Sequence, residues 1–353
     1  MSETQTQQDR EEASLFSDKF TEETSSSDPT DNSNDYTPEE NAAPNYTLGS
    51  ISHAVESLNH NPTEITSTLS KEANSELLYA DADERVRAEF TITLNTKLLK
   101  HTINSFLSLS EETFVSITEQ GMLACGVDSS NTTMIREWID AEDITYDDLT
   151  QNGITAINWR DLSEALTEIE TGDTITLNKY TETTDGNDVD FLEISSGNES
   201  ENIKVASLNQ VRQPPTIPEL TLTANIRLPL REIKTIINRC GEYSDHISFE
   251  GNGDNCITFS AEGDVTEITK TYKTENDAVT NLESIQPIQT QSSKSALSLF
   301  SIDLFEKYFK RIRKSQTEYA AQIRFGDEFP MKMQVNKTAK SFTTLMIAPR
   351  IQA

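Results

Sequence analysis

Two regimes of patterning divide the chain. Through residue 84 apolar side chains are sparse among Asp, Glu, Ser, Thr, Asn and Gln; from about Val86 onward they recur at every second position or at i, i+3, i+4. The alternating stretches predict strands over Glu89–Leu94, Thr113–Thr118, Met122–Val127, Ile154–Asn158, Thr174–Leu177, Leu222–Leu228, His246–Glu250, Cys256–Ala261, Leu297–Ile302 and Tyr319–Phe325. Helical spacing follows four of them. In Leu304–Lys314 (LFEKYFKRIRK), Leu304, Phe305, Tyr308, Phe309 and Ile312 share one face, and Lys307, Lys310, Arg311 and Lys314 the opposite one.

These units repeat. Leu94–Asn104 aligns without gaps on Leu228–Asn238, with Leu, Lys, Ile and Asn coinciding at the first, seventh, tenth and last positions. Each copy follows one strand and precedes a strand, a turn and another strand. A looser version places a helix over Trp159–Ile169 and another over the basic segment 304–314. The pattern predicts four strand–helix–strand units with further hairpins, two units per domain. Expected boundaries are a largely disordered acidic extension over 1–85, domains over 86–210 and 220–353, and a connector over 211–219. Pro214, Pro215 and Pro218 bar helix or central strand from the connector. Inside the extension, Ile51–His60 and Glu64–Leu78 carry apolar residues at helical spacing, and the expectation there is weak transient helicity.

Charge sharpens the picture. The formal net charge is −30, and residues 1–84 hold nineteen acidic residues against three basic ones, too polar to offset chain entropy by burial. Such acidity suits a salt-in halophile, since at molar salt the Debye length is about 3 Å. Yet residues 294–353 hold eleven Lys and Arg against five Asp and Glu. Basic residues at helical spacing recur as Lys97, Lys100 and His101, as Arg231, Lys234 and Arg239, and as Lys307, Lys310, Arg311, Arg313 and Lys314. Helix 159–169 departs, with Arg160 alone against three carboxylates. A basic stripe on an acidic chain points to a polyanion, and sequence-independent phosphate contact is the expectation for all twelve residues.

Other chemistry is weakly signalled. Cys125, Cys240 and Cys256 have unrelated spacings, which suits a reducing cytoplasm. No apolar run reaches the ~18 residues of a membrane span, and the first residues lack a signal-peptide pattern. Asp185–Asp190 (DGNDVD) lacks the glycine and terminal Glu of a calcium loop, so it reads as a hairpin tip. No nucleophile–base pair or acidic–histidine cluster sits on a defined element, so neither an enzyme nor a cofactor is expected.

The segment Gly121–Asn131 (GMLACGVDSSN), the connector end Ile217-Pro218, Phe300–Ile302, Glu328–Met331 (EFPM) and the terminal Ile347–Ile351 (IAPRI) together resemble the archaeal and eukaryotic PCNA family of sliding clamps, in order and spacing over about 86–353. The resemblance implies an α+β clamp fold of two similar domains, each with two helices backed by antiparallel sheets. It implies a ring trimer closed head-to-tail, with helices lining a hole for double-stranded DNA and sheets outside. It implies open sheet edges near Asn202–Leu208 and Val265–Tyr272. It also implies an apolar pocket of Val127, Thr132, Met134, Ile217, Pro218, Pro330, Met346, Ala348, Pro349 and Ile351. That pocket would accept the PIP-type peptides of polymerase and other replication and repair enzymes, with a clamp loader opening the ring. Two further readings stand beside it: a divergent paralogue acting as one subunit of a heterotrimer, and a clamp-fold interaction protein that does not encircle DNA.

Overall fold

A computed structural model describes residues 73–82, 84–184, 186–215, 220, 222–251, 256–273, 296–312 and 319–350. Most of the acidic extension lies outside these residues, as does the segment Ile51–His60. Its last part does not. Ala73–Tyr79 forms a helix, α1, with Asn74, Ser75 and Leu78 buried, so folded structure begins before the boundary expected near residue 86.

The remaining order is β1 (Glu89–Asn95), α2 (Thr96–Leu107), β2 (Glu112–Thr118), β3 (Gly121–Val127), β4 (Thr133–Asp140), β5 (Ile144–Gln151), β6 (Gly153–Asn158), α3 (Trp159–Glu168), β7 (Thr174–Thr184), β8 (Asn187–Ser196) and β9 (Glu199–Lys204). An irregular connector then leads to β10 (Ala224–Pro229), α4 (Leu230–Gly241), β11 (His246–Gly251), β12 (Cys256–Glu262), β13 (Glu267–Lys273), β14 (Ala296–Ser301), α5 (Ile302–Arg311), β15 (Ala320–Phe325), β16 (Met331–Asn336) and β17 (Phe342–Ile347). Among the described residues no helix is long and apolar enough to cross a membrane.

Three antiparallel sheets result, ordered β5-β1-β7-β8-β9, β10-β15-β16-β17-β4-β3-β2-β6 and β13-β12-β11-β14. The internal repeat is visible in that order. Strands β1, β7, β8 and β9 stand in the first half as β10, β15, β16 and β17 stand in the second, and β6, β2, β3 and β4 correspond to β14, β11, β12 and β13. The halves are joined where β17 pairs with β4, from Phe342 opposite Trp138 to Ile347 opposite Thr133. The strands corresponding to those two are β9 and β13, and both are sheet edges.

Helices α2 to α5 pack side by side. Helix α2 packs against α3 and α5, and α5 against α4. Local sequence sets two of the helix starts: the Asn95 side chain accepts from the amides of Lys97 and Leu98 at 2.9 and 3.3 Å, and Asn158 accepts from Arg160 and Asp161 at 3.0 and 3.1 Å. Such caps are each worth about 1 kcal/mol. Beneath the helices runs a continuous apolar core, and in the second half it centres on Phe249, whose ring meets those of Phe259, Phe300, Phe305 and Phe325 at 4.7–5.8 Å. Gly126 of β3 lets α2 approach, since a Cβ there would stand 2.5 Å from Thr113 Cγ2 and 3.4 Å from the Phe106 ring.

Candidate functional site

The helix layer carries the basic residues expected to face a polyanion. Each apolar stripe is pinned to the sheets, so the opposite face is turned to solvent. Lys97, Arg160, Arg231, Arg239, Lys307, Lys310 and Arg311 are exposed there, and Lys100 and Lys234 are half-buried. Arg313 and Lys314 lie outside the described residues.

His101 departs from the expectation. It is 1% exposed, edge-on to Tyr319 at 5.7 Å, and has no hydrogen-bond partner on either ring nitrogen. Burial, aided by the nearby Lys337 charge, holds its pKa well below the usual histidine range. It is therefore a neutral core residue and cannot touch a phosphate.

The basic stripe is also less bare than its spacing implies. Lys307 pairs with Asp303 at 3.5 Å, Lys310 with Glu306 at 2.7 Å, and Arg160 with Glu111. Lys234 donates to the Phe309 carbonyl at 2.9 Å, near the C-terminal end of α5, where a cation also opposes the helix dipole. Lys100 donates to Thr171 Oγ1 at 2.8 Å. Lys97, Arg239 and Arg311 are exposed without an ion pair among the described residues. The cations of this layer are thus scattered, and several are already paired with carboxylates or carbonyls.

On the other side of the eight-stranded sheet, strand register builds a second surface. Val127, Met134, Met346, Lys332, Arg324 and Asn225 stand directly opposite one another in successive strands and so share a face. Cys125, Arg136, Thr344, Gln334, Gln322 and Arg227 form the next row. The surface is thus apolar at β6, β2 and β3, methionine-rich at the β4–β17 seam, and cationic toward β16, β15 and β10.

Of the expected pocket residues, Val127, Met134 and Met346 meet along this row. Thr132 is close by, its hydroxyl 2.7 Å from Asp128 Oδ2, and its carbonyl accepts from the Ala348 amide at 2.8 Å. Pro330, Ala348 and Pro349 are half-buried at the rim. Ile217, Pro218 and Ile351 lie outside the described residues. The connector lies over the seam. Val211 is buried in one apolar cluster with Met134 and Met346, and Arg212 donates to the Asp128 carbonyl at 3.0 Å and to Asn131 Oδ1 at 2.7 Å.

Sequence reasoning missed the cationic end of this row. Lys332 lies opposite Arg324, with Arg136 near, and burial followed by those two charges lowers its pKa to about 8. Residues in three separate strands make the cluster, so only the register could have revealed it. In the segment Asp185–Asp190, Asp190 accepts from Lys179 Nζ at 3.0 Å and Thr181 Oγ1 at 2.6 Å, and Asp185 is outside the described residues.

Comparison with known proteins agrees with this architecture. The chain is 25% identical over 259 residues to the DNA polymerase sliding clamp of Methanothrix thermoacetophila, covering 73% of this chain and 97% of that protein. It is 26% identical over 267 residues to the Haloarcula marismortui clamp, covering 75% and 99%. Among solved structures, A. fulgidus PCNA bound to the C-terminal region of FEN-1 superposes with a TM-score of 0.63 at 21% identity, over 75% of this chain and 99% of that one. Thermococcus kodakaraensis PCNA gives a TM-score of 0.61 at 18% identity, over 74% and 100%. No protein-family model matches the chain. The chain is thus similar to archaeal DNA polymerase sliding clamps over nearly their whole length, and it shares the PCNA fold.

Proposed function

We propose that the chain is a DNA sliding clamp: it closes head-to-tail into a ring trimer around double-stranded DNA and tethers DNA polymerase and other PIP-motif proteins through the outer-face groove. One observation carries the reading. The seam that joins the two halves, β17 against β4, leaves its counterparts β9 and β13 open as edges in the same chain. If β9 of one copy pairs with β13 of the next, the inter-subunit seam repeats the intra-chain one, and a heterologous contact of this kind makes a closed ring when the rotation closes. Edges closed in this way are also protected from indiscriminate strand pairing.

Such a ring continues the single helix layer around a hole and keeps the connector groove outside. Retention on DNA then comes from encirclement, and the scattered cations need only tolerate sliding. A tethered enzyme gains effective concentration at its substrate, so the clamp itself performs no chemical step. A clamp loader supplies ring opening in this scheme.

Charge reversal at exposed Lys97 and Arg311 tests the DNA-facing side. Primer extension by a clamp-dependent polymerase should lose processivity stimulation while binding of a PIP-pattern peptide is retained. Unchanged stimulation would remove the helix layer from DNA contact. Restoration only on mixing with a second clamp would favour a heterotrimer subunit.

A further inference from the structure

The extension's last segment is seated on the same outer face as the groove. Leu78 is fully buried and joins Phe114, Cys125 and Ile154, together with Met134, Met346 and Val211, in one apolar cluster. Leu77 and Tyr79 pack against it, as do Val205, Ala206, Leu208 and Leu220 of the connector. Six consecutive residues, Asn74–Tyr79, therefore fill the apolar end of a surface whose methionine-rich middle is the groove.

The seat is specific, not merely greasy. The buried Asn74 amide nitrogen donates to the carbonyls of Ser116 and Gly121 at 3.2 and 3.0 Å, and its oxygen accepts from Thr118 Oγ1 at 2.5 Å. Arg136 donates to Ser75 Oγ at 3.2 Å. Three of the four hydrogen-bonding positions of the Asn74 side chain are spent on the β2–β3 hairpin, which sets the register of α1 upon the sheet.

From α1 the chain runs back beneath the connector. Arg85 stacks on the Phe114 ring at 4.7 Å and donates to the Leu208 carbonyl at 3.3 Å and to Gln213 Oε1 at 3.1 Å. Val86–Ala88 then joins β6, with Ala88 N to Ile154 O at 2.9 Å and Ile154 N to Val86 O at 2.8 Å. Gly153 permits this approach, because a Cβ there would stand 2.5 Å from the Val86 carbonyl oxygen. Arg85 and Arg212 thus hold the connector at two points, and beneath it Met134 and Met346 are only 7% and 8% exposed.

From this geometry we propose that the outer face of β2, β3 and β6 is a peptide-docking surface distinct from the connector groove, filled in cis by Asn74–Tyr79, and that its occupancy, relayed through Arg85, keeps the groove closed. The second half rests on the peptide-groove reading above; the first does not. A peptide that needs the groove open binds with an apparent affinity reduced by the fraction of open chains, so releasing the latch raises affinity without changing any groove residue. The occupant is this chain's own segment, which is tethered beside its site and so has a high effective concentration there.

The test uses the full chain in molar KCl and a fluorescein-labelled synthetic peptide with a glutamine, an aliphatic residue three positions on, and two aromatics after two more. Leu78→Asp ejects α1 by placing a charge in its seat; Arg85→Ala cuts the tie at the rim with little risk to folding. Both variants should bind the probe about tenfold more tightly or better, and hydrogen exchange of the connector amides over 205–213 should quicken. An unlabelled peptide of residues 71–88 added to the Leu78→Asp chain should lower probe binding again. Unchanged affinity with unchanged connector exchange in both variants overturns the proposal. If no form binds the probe while connector exchange still quickens, the docked segment stands and the groove reading falls.

Discussion

Lys337, in the turn between β16 and β17, pairs its ammonium with the Glu137 carboxylate of β4 in the interior, both side chains almost wholly removed from water. Thr102 of α2 donates to Glu137 Oε1 at 2.9 Å and Thr343 of β17 to Oε2 at 2.7 Å, while Lys337 also donates to Thr102 Oγ1 at 3.2 Å. This network ties the two halves together across the β4–β17 seam. Burial pulls the Lys337 pKa well below the ordinary lysine range, so the pair depends on the hydrogen bonds from Thr102 and Thr343 that hold the carboxylate.

Removing one partner should therefore be costly and removing both should not. Glu137→Gln leaves a buried amine without its anion and should destabilise the chain by about 3–5 kcal/mol, whereas the double change to Met at 137 and 337 should cost far less. Denaturant unfolding of the three proteins at fixed salt measures this. Equal losses in single and double variants would make the network incidental.

Stability should fall below neutral pH because of His101. Its folded pKa is depressed by burial, with Lys337 adding to the effect, and Tyr319, edge-on to it at 5.7 Å, supplies no hydrogen bond to the ring. The unfolded chain takes up a proton near pH 6.5 that the folded chain refuses, so stability is complete above that value and declines by up to about 1.4 kcal/mol per pH unit below it. Asp128, Asp190 and Asp303, whose pKa values are lowered, lose their contribution only at pH below the ordinary carboxylate range. Thermal unfolding from pH 7.5 to 5 should show the decline, and His101→Gln should flatten it.

How much of this was legible in the sequence is shown by the same residue. Helical spacing located α2 and its sheet-facing stripe, but α2 also has flanks, and there the Tyr319 ring, just before β15, meets the buried His101. A periodicity sees one buried face; it cannot see neighbours on either side. Strands β4 and β17 escaped prediction for the converse reason. With helices on one face and α1 or the connector on the other, they are buried at nearly every position, so no alternation survives. Helical spacing over Glu64–Leu78 touches on α1 but reads as transient helicity, because average composition says nothing of a Leu-Leu-Tyr run that finds an apolar sheet face. The repeat, by contrast, was readable in full from Leu94–Asn104 and Leu228–Asn238, since each half must build the same strand–helix–strand unit.

Lys332 should behave as an unusually reactive lysine. With a pKa of about 8, roughly half of it is neutral at pH 8, against well under 1% of an ordinary lysine. Acylation by an N-hydroxysuccinimide ester, followed by peptide mass mapping, should show a labelling midpoint near pH 8 at Lys332. A model peptide carrying one ordinary lysine should show none in that range. Parallel pH profiles for the two would contradict the cationic row beside Met346.

The most direct test of the ring is the absolute mass of the full chain in molar KCl, measured by light scattering on a sizing column. Pairing of β9 with β13 of the next copy predicts a trimer that does not grow with concentration, because a closed ring leaves no edge to extend. A monomer would contradict the account, and a mass that climbs with concentration would show that the edges pair without closing.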